Sequence, residues 1–356
     1  ICLDARFFND ALGVTFDWYN RTTSDILTTA NLPATLGADA PYENMGTIQT
    51  KGWELAIDYR HTFKNGLHFG VTASVADDKT EVTKWTYNTK IPSYGATGWW
   101  DKSAYKEGMV LGDIWGLQFD RFLTEDDFNA DGSLKAGLPD QTKVFPAGYQ
   151  FAPGDVLYKD LDNNGEIVKQ TNTNDKGDLS VIGNALPRLQ FGLNLDAAWK
   201  GFDISMFFQG VAKRKLWAAG NQVLPGFTTG EPFYKGAEDY WTPENTDAFY
   251  PRPMDYKQSA SGNYSVNDRY LLNMAYLRLK TFTVGYSLPK VWLSKFKVQG
   301  LRVYFTGENL FTIDGVKPAI DPEIGIRTAS GKSDQRNFGR SYPYQKTVSF
   351  GIQLSL

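Results

Sequence analysis

What this chain has little of narrows the classes of function that are open to it. It contains one cysteine, Cys2, so it forms no internal disulfide. No apolar run reaches the 18 residues that indicate a transmembrane helix. With 37 Lys and Arg against 40 Asp and Glu, the net charge of −3 leaves no basic surface, so we expect no nucleic-acid partner.

Two histidines, His61 and His68, flank one short turn and provide no pocket for a Ser/His/Asp arrangement, so we expect no enzymatic activity. A signal peptide is also lacking, because the chain opens at Ile1–Phe7 in an alternating pattern typical of a strand interior. We therefore interpret residues 1–356 as the C-terminal part of a larger protein. Any N-terminal domain would lie upstream.

Aromatic residues, in contrast, are abundant, at 15% of the chain. The last ten residues, Thr347–Leu356, alternate strictly between polar and apolar side chains. Period-two alternation places the apolar set on one face of a strand. Strands of soluble proteins usually run about 5–6 residues, whereas a tilted membrane-crossing strand needs roughly 9–11. Ten residues therefore favour a strand of a transmembrane β-barrel. Leu301–Thr312 is its predicted partner, and the strand that would close the barrel is not in this sequence.

Similar alternation predicts ten strands, among them Met109–Phe119. With ten, Met109–Phe119 and Leu189–Trp199 would both run towards the tight turns, so one more strand is needed between them. Val144–Tyr158 is the candidate. A shift of apolar parity within Tyr276–Leu288 predicts a β-bulge. Long loops separate the hairpins, whose tight turns are predicted at Asn9-Asp10, Lys64–Gly66 and Lys200-Gly201. Tight turns on one side and long loops on the other are typical of outer-membrane barrels.

Several ordered motifs resemble the barrel region of the SusC/RagA family of TonB-dependent transporters from the Gram-negative Bacteroidetes. The resemblance covers essentially the whole chain, although the family commonly ends in Phe where this chain has Leu356. The motifs are Asn44–Leu55, Pro153–Ile167, Ile182–Pro187, Tyr276–Pro289, Asn309–Thr312, Asp321–Glu323 and Tyr342-Pro343.

This resemblance implies an all-β, antiparallel transmembrane barrel of roughly 22 strands, of which this chain would supply about half. Its loops would be extracellular and its turns periplasmic. The implied function is active import of large nutrients across the outer membrane, with oligosaccharides favoured and peptides as the alternative. The implied partners are a SusD-like surface lipoprotein, outer-membrane lipid and, through the absent N-terminal plug part, the TonB-ExbB-ExbD complex.

The segment Asp160–Ile167 matches the first eight positions of an EF-hand-type calcium loop, with candidate ligands Asp160, Asp162, Asn164 and Glu166. Position twelve is Thr171 instead of Glu, so a further carboxylate is needed, from Asp175 or Asp178. A metal-free turn remains the alternative. Asp127–Gly132 is a poorer copy, for which we expect a plain turn.

Aromatic side chains in the predicted loops are candidate substrate-binding residues, because their faces stack on sugar C–H groups and on peptide side chains. The candidates are Trp99, Trp100, Trp217, Tyr234 and Trp241. Loop packing, anchoring at the membrane or contact with a lid protein are the alternatives for each residue. For the whole chain, the alternative function is that of a soluble, secreted all-β protein that binds or hydrolyses carbohydrate.

Overall fold

The computed structural model describes residues 1–29, 41–86, 106–169, 175–218, 220, 222–226, 233–254, 262–293, 298–317, 320–323, 328–329, 332–333 and 342–355. Regular structure in these ranges is almost entirely β-strand, which confirms the all-β class. The helical segments among them are α1 (Lys290–Leu293) and one 3-10 turn (Glu125–Asp127). Within the same ranges, no helix is long and apolar enough to cross a membrane.

The strands in chain order are β1 (Cys2–Phe7), β2 (Leu12–Thr29), β3 (Tyr42–Thr62), β4 (His68–Trp85), β5 (Asp113–Gly116), β6 (Phe119–Phe122), β7 (Val156–Tyr158), β8 (Ser180–Asn184), β9 (Arg188–Trp199), β10 (Phe202–Lys213), β11 (Lys215–Leu216), β12 (Leu272–Asn273), β13 (Tyr276–Ser287), β14 (Gly300–Asp314), β15 (Thr328–Ala329), β16 (Lys332–Ser333) and β17 (Thr347–Ser355). Nine of them form one sheet in the order β1-β2-β3-β4-β9-β10-β13-β14-β17. Every neighbouring pair is antiparallel, and the predicted pairing of the last strand with the Leu301–Thr312 strand is confirmed.

The predicted strand count was wrong. The structure places nine strands in the sheet rather than ten or eleven, because Met109–Phe119 and Val144–Tyr158 lie outside it. Parts of these two segments instead form the two-stranded ribbons β5·β8 and β6·β7. Since β4 pairs directly with β9, the direction conflict that called for an extra strand disappears.

The two faces of the sheet differ in polarity across its middle rows. On one face, Val14, Ile57, Ala73 and Leu193 stand side by side on four successive strands. The row one residue further on, which is on the opposite face, consists of Thr15, Ala56, Ser74, Gly192 and Gln209. The apolar face remains open to solvent at large side chains such as Trp18, Ile57, Phe69, Trp199, Val303 and Ile352. A broad exposed apolar face is typical of a surface that contacts lipid or another protein.

Connections are segregated at the two ends of the sheet. At one end the chain reverses within Phe8–Ala11, Phe63–Leu67 and Lys200-Gly201, and α1 lies in the β13–β14 connection. The last two-residue turn has φ of 46° and 88°, which glycine adopts readily at Gly201. At the other end, the chain between β4 and β9 and between β10 and β13 builds further structure. This arrangement confirms the predicted layout of tight turns and long loops.

The predicted bulge lies at Lys280. The β13–β14 register passes from Leu279↔Phe311 to Thr281↔Glu308, and the β10 side shifts at the same level. The extra residue explains why Leu277 and Leu279 share a face with Phe282, although their parity differs. The Lys280 side chain lies beside Arg278, where the long connection after β14 returns to the sheet.

Candidate functional site

The long connections pack into two hydrophobic cores that lie beyond the sheet. The first loop core is buried around Leu216, Trp217, Leu224, Tyr250, Tyr264, Tyr270, Leu272 and Met274. The second loop core is buried around Leu117, Phe145, Val156, Tyr158, Ile167, Leu179 and Trp241. Trp115 packs against both, so segments far apart in sequence are held together at this end of the sheet.

Asp155 is the polar centre of this region. Its carboxylate is fully buried and accepts hydrogen bonds from Tyr149 Oη at 2.9 Å, Arg252 Nε at 2.8 Å, Asn263 Nδ2 at 3.0 Å and the Ala152 amide at 2.9 Å. Burial, followed by the charge of Asp155, raises the pKa of the Tyr149 phenol, which therefore remains a protonated donor. Three segments of chain, around residues 149–155, 252 and 263, are thus joined at one carboxylate. A buried charge is tolerated only with partners of this kind.

Next to this network lies a cavity of about 640 Å³. Its wall is mostly aromatic, proline and methionine side chains, with three charged residues. The lining residues are Pro225, Phe233, Tyr234, Lys235, Ala237, Glu238, Tyr240, Tyr250, Pro251, Arg252, Pro253, Met254 and Tyr264. Because Arg252 also binds Asp155, one side of the cavity is fixed by the buried network.

The structure separates the predicted substrate-binding aromatics into three groups. Trp217 is 3% exposed and Trp241 is 8% exposed, so each packs within a loop core and offers little ring surface to a ligand. Tyr234 is 37% exposed and lines the cavity. Trp99 and Trp100 lie outside the described residues. For the two buried tryptophans, loop packing is what the structure shows.

The predicted calcium loop is closed by its own hydrogen bonds. The Asp160 carboxylate accepts the Gly165 amide at 2.8 Å, and Asp162 Oδ1 accepts the Asn164 amide at 3.1 Å. Positive φ at Asn163 and Gly165 gives the tight curvature. Glu166 points to the Lys143 ammonium instead of joining the other carboxylates. Asn164 Oδ1 accepts the Glu166 amide at 2.8 Å, which leaves it less free to bind a cation.

A third carboxylate enters the loop from Asp178, one of the two residues that the sequence offers to replace position twelve. Oxygens of Asp160, Asp162 and Asp178 lie within 4.8 Å of one another. Asp178 is fully buried, and it accepts the Leu161 and Val168 amides, each at 2.8 Å. Three carboxylates at this separation are a donor set suited to a hard cation.

The poorer copy at Asp127–Gly132 forms a turn. Asp131 accepts the Ser133 amide at 3.0 Å, while Asp127 is bound in two-pronged fashion by Arg121 at 2.6 and 2.7 Å. His61 and His68 lie by the β3–β4 turn, where His68 Nε2 is 3.6 Å from Asp196 and exposed.

A second polar cluster ties the chain after β14 to the bulged part of β13. Arg278 is 4% exposed at its side chain and binds Asp321 at 2.8 Å, while Lys280 binds Glu323 at 2.7 Å. The Tyr344 ring lies over both cations, 5.4 Å from the Arg278 guanidinium carbon and 4.8 Å from Lys280 Nζ. Two of the recognised motifs, Asp321–Glu323 and Tyr342-Pro343, therefore meet at this cluster or border it.

Comparison with known proteins gives relatives along the whole chain, although no family model matches it. It is 27% identical over 364 residues to TonB-dependent receptor P3 of Formosa agariphila, covering 99% of this chain and 33% of the relative. It is 23% identical over 363 residues to TonB-dependent receptor SusC of Bacteroides thetaiotaomicron, covering 99% of this chain and 31% of the relative. The chain thus spans about a third of the length of these relatives.

Solved structures share the fold. The RagAB peptide transporter superposes with a TM-score of 0.68 at 20% identity, covering 99% of this chain and 34% of the other. The RagAB peptide importer in its open-open state gives 0.65 at 19% identity, covering all of this chain and 34% of the other. The chain is thus similar along its whole length to TonB-dependent receptors, and it shares the fold of the solved RagAB structures.

Proposed function

We propose that this chain forms part of the wall and of the external loops of an outer-membrane importer of large nutrients. The observation that carries the proposal is the two-faced sheet: nine strands share one continuous apolar face, and the opposite face is polar. A lipid-facing band with a polar lumen behind it requires this division. The long connections, all at one end, would then form the extracellular mouth.

The proposed partners follow from the same assignment of the sheet to the barrel wall and of the long connections to its mouth. A SusD-like lipoprotein would cover the mouth, and the TonB complex would act through parts of the protein outside this chain. The cargo would be an oligosaccharide or a peptide that is too large for simple diffusion. Stacking by Trp99 and Trp100 remains part of the proposal, and alanine at both positions is expected to weaken cargo binding.

We also propose that a calcium ion binds between Asp160, Asp162 and Asp178. Support comes from the clustering of three carboxylates, one of them fully buried. The ion would order the loop and hold it against the second loop core, which contains Ile167 and Leu179.

Uptake and fractionation test the main proposal together. The complete protein is expected only in detergent extracts of outer membranes, and cargo accumulation is expected to stop when TonB is deleted. Release of the protein without detergent would overturn the membrane assignment. Uptake that persists without TonB would overturn the energised import.

The alternative, a soluble carbohydrate-binding or hydrolytic protein, is disfavoured by the exposed apolar face. Ile352 is 74% exposed and Phe350 is 82% exposed on the last strand, and the same face continues across the sheet. Both curated relatives compared above are receptors by name, which agrees with transport rather than catalysis.

A further inference from the structure

The tight-turn end of the sheet carries a row of lysines next to exposed aromatic rings. We propose that this rim binds the headgroups of anionic phospholipids, with Lys64, Lys200 and Lys290 as the cations. The inference rests on the barrel assignment proposed above and goes beyond it, because contact of the apolar face with hydrocarbon requires no charged headgroup. With the tight turns on the periplasmic side, these headgroups belong to the periplasmic leaflet of the membrane.

The first observation is an aromatic row on the apolar face at the tight-turn end. Trp199 pairs with Phe202 across the β9–β10 hairpin, and Phe202 pairs in turn with Tyr286 on β13. The ring centroids of Phe202 and Tyr286 are 4.5 Å apart. Trp199 is 45% exposed and Phe202 is 58% exposed, so the described part of the chain leaves much of both rings uncovered. Tryptophan and tyrosine are enriched at the level of lipid headgroups, where an apolar ring with a polar atom suits both layers.

The second observation is the position of Lys200. Its ammonium group lies over the Trp199 ring, 4.5 Å from the centroid. Trp199 projects from the apolar face, four residues along the same strand from Leu195. The contact therefore holds the cation on the outer side of the rim and not towards the lumen. Lysine stems lie along apolar surface while the charged end reaches the polar layer, which is the level of the lipid phosphate.

The third observation is that the neighbouring connections carry further lysines. Lys64 lies in the β3–β4 turn and Lys290 begins α1, and both are exposed. A hydrogen bond of 3.3 Å from Trp199 Nε1 ties the β9–β10 turn to the β3–β4 turn, and one of 2.7 Å from the Ser287 amide ties it to the β13–β14 connection. Because neighbouring strands are about 4.8 Å apart, successive hairpins place these turns roughly 10 Å apart along the rim.

The fourth observation is that these cations are available. In the described ranges, none of the three rim lysines forms an ion pair, while the nearby carboxylates of Asp196 and Asp203 face His68 and Arg302. The exposed carboxylate of the β1–β2 turn, Asp10, lies one hairpin beyond the lysine row. A lysine near an anionic membrane surface contributes about 1 kcal/mol, which is about fivefold in affinity. Three unpaired lysines beside exposed aromatic rings therefore favour an anionic headgroup over a zwitterionic one.

The test uses the complete protein in a neutral detergent, titrated with phosphatidylglycerol or with zwitterionic phosphatidylcholine of the same chain length. Native mass spectrometry counts the bound lipids and gives a dissociation constant for each lipid. The rim variant combines Lys64→Gln, Lys200→Gln and Lys290→Gln. The matched control combines the same replacement at three lysines that are exposed, form no ion pair in the described ranges and lie away from the tight turns: Lys135, Lys235 and Lys317. Both variants change the net charge by the same amount.

The parent protein is expected to bind phosphatidylglycerol at least tenfold more tightly than phosphatidylcholine. This preference should fall to about threefold or less in the rim variant and stay unchanged in the control variant. A tenfold rise in salt concentration should also weaken it, because the screening length becomes about threefold shorter. An unchanged thermal transition in each variant shows that folding is intact.

Three results would each overturn the proposal: equal affinity of the parent for the two lipids, an unchanged preference in the rim variant, or an equal loss of preference in both variants. Recovery of the protein from outer membranes is measured separately. The barrel assignment can therefore stand while the headgroup proposal falls.

Discussion

Replacing Leu195 by arginine is expected to destabilise the barrel far more than the same replacement at its neighbour Asn194. Leu195 lies on the apolar face of β9, between Met206 and Val71, whereas Asn194 lies on the polar face beside Thr72. If the apolar face meets lipid, Leu195→Arg places a cation in hydrocarbon. Asn194→Arg places the same cation in the lumen.

The depth of Leu195 sets the magnitude. It lies four residues before Trp199, which is exposed at the tight-turn end. At about 3.4 Å per residue and a tilt near 45°, this separation is roughly 10 Å along the membrane normal. Since the apolar band of such barrels is about 25 Å tall, Leu195 lies near its middle. Arginine there costs about 2–4 kcal/mol, which is a 30- to 700-fold loss in the folded-to-unfolded ratio.

Guanidinium unfolding of the complete protein in lipid vesicles measures this difference, with tryptophan fluorescence as the signal. Asn194→Arg is expected to change the free energy of unfolding by less than about 1 kcal/mol, because surface-type substitutions usually do. Equal costs for the two variants would refute the assignment of the apolar face to lipid. A larger cost for Asn194→Arg would place lipid on the other face.

Three further predictions concern the long-connection end. Asp155→Ala removes the partner of Arg252, and breaking such a buried pair costs about 3–5 kcal/mol. Hydrogen exchange around residues 149–156 should therefore rise strongly. Unchanged exchange would contradict the central role of this carboxylate. Millimolar calcium should raise the thermal unfolding midpoint of the parent protein and protect its 160–168 loop from proteolysis. The Asp178→Asn variant should show neither effect. Equal responses of the two proteins would argue against the site. Hydrogen bonds from the Arg121 guanidinium lower the pKa of Asp127 from 3.8 to about 2. Its stabilisation should therefore be complete above pH 4 and lost as the pH falls towards 2, an acid loss that Asp127→Asn should not show in a pH series of unfolding.

Strict alternation made most of the sheet predictable from sequence. A strand with one face in lipid and the other in water must alternate, as Val348–Leu354 and Leu189–Leu195 do. The tight turn at Lys200-Gly201 was predictable as well, because few residue pairs accept two positive φ values. The bulge at Lys280 was predictable too, because the apolar residues of this strand change from odd positions (Leu277, Leu279) to even ones (from Phe282 onwards).

Met109–Phe119 and Val144–Tyr158 show where this reasoning fails. Both segments contain apolar residues, but Leu117 and Val156 are buried in a loop core and not in the sheet. Periodicity reports that a side chain is buried, and it does not report what buries it. Because neighbouring strands of the sheet run in opposite directions, either both segments or neither can lie between β4 and β9. The direct antiparallel pairing of β4 with β9 shows that neither does.

The Asp155 network was missed for a different reason. Asp155 lies within a recognised motif, but Arg252 and Asn263 are about a hundred residues away and carry no local pattern. Only tertiary folding brings them together. Trp217 and Trp241 illustrate the reverse case, since their residue type suggested a ligand surface while their positions bury them.

The adjacency of β4 and β9 has an architectural consequence. Because these strands are hydrogen-bonded to each other, the chain leaves the sheet after Trp85 and rejoins it at Arg188, on the neighbouring strand. Whatever is inserted there need not disturb the hydrogen bonds that hold the wall together. The sheet can therefore carry connections of different length and sequence at this point without any change in its own hydrogen bonding.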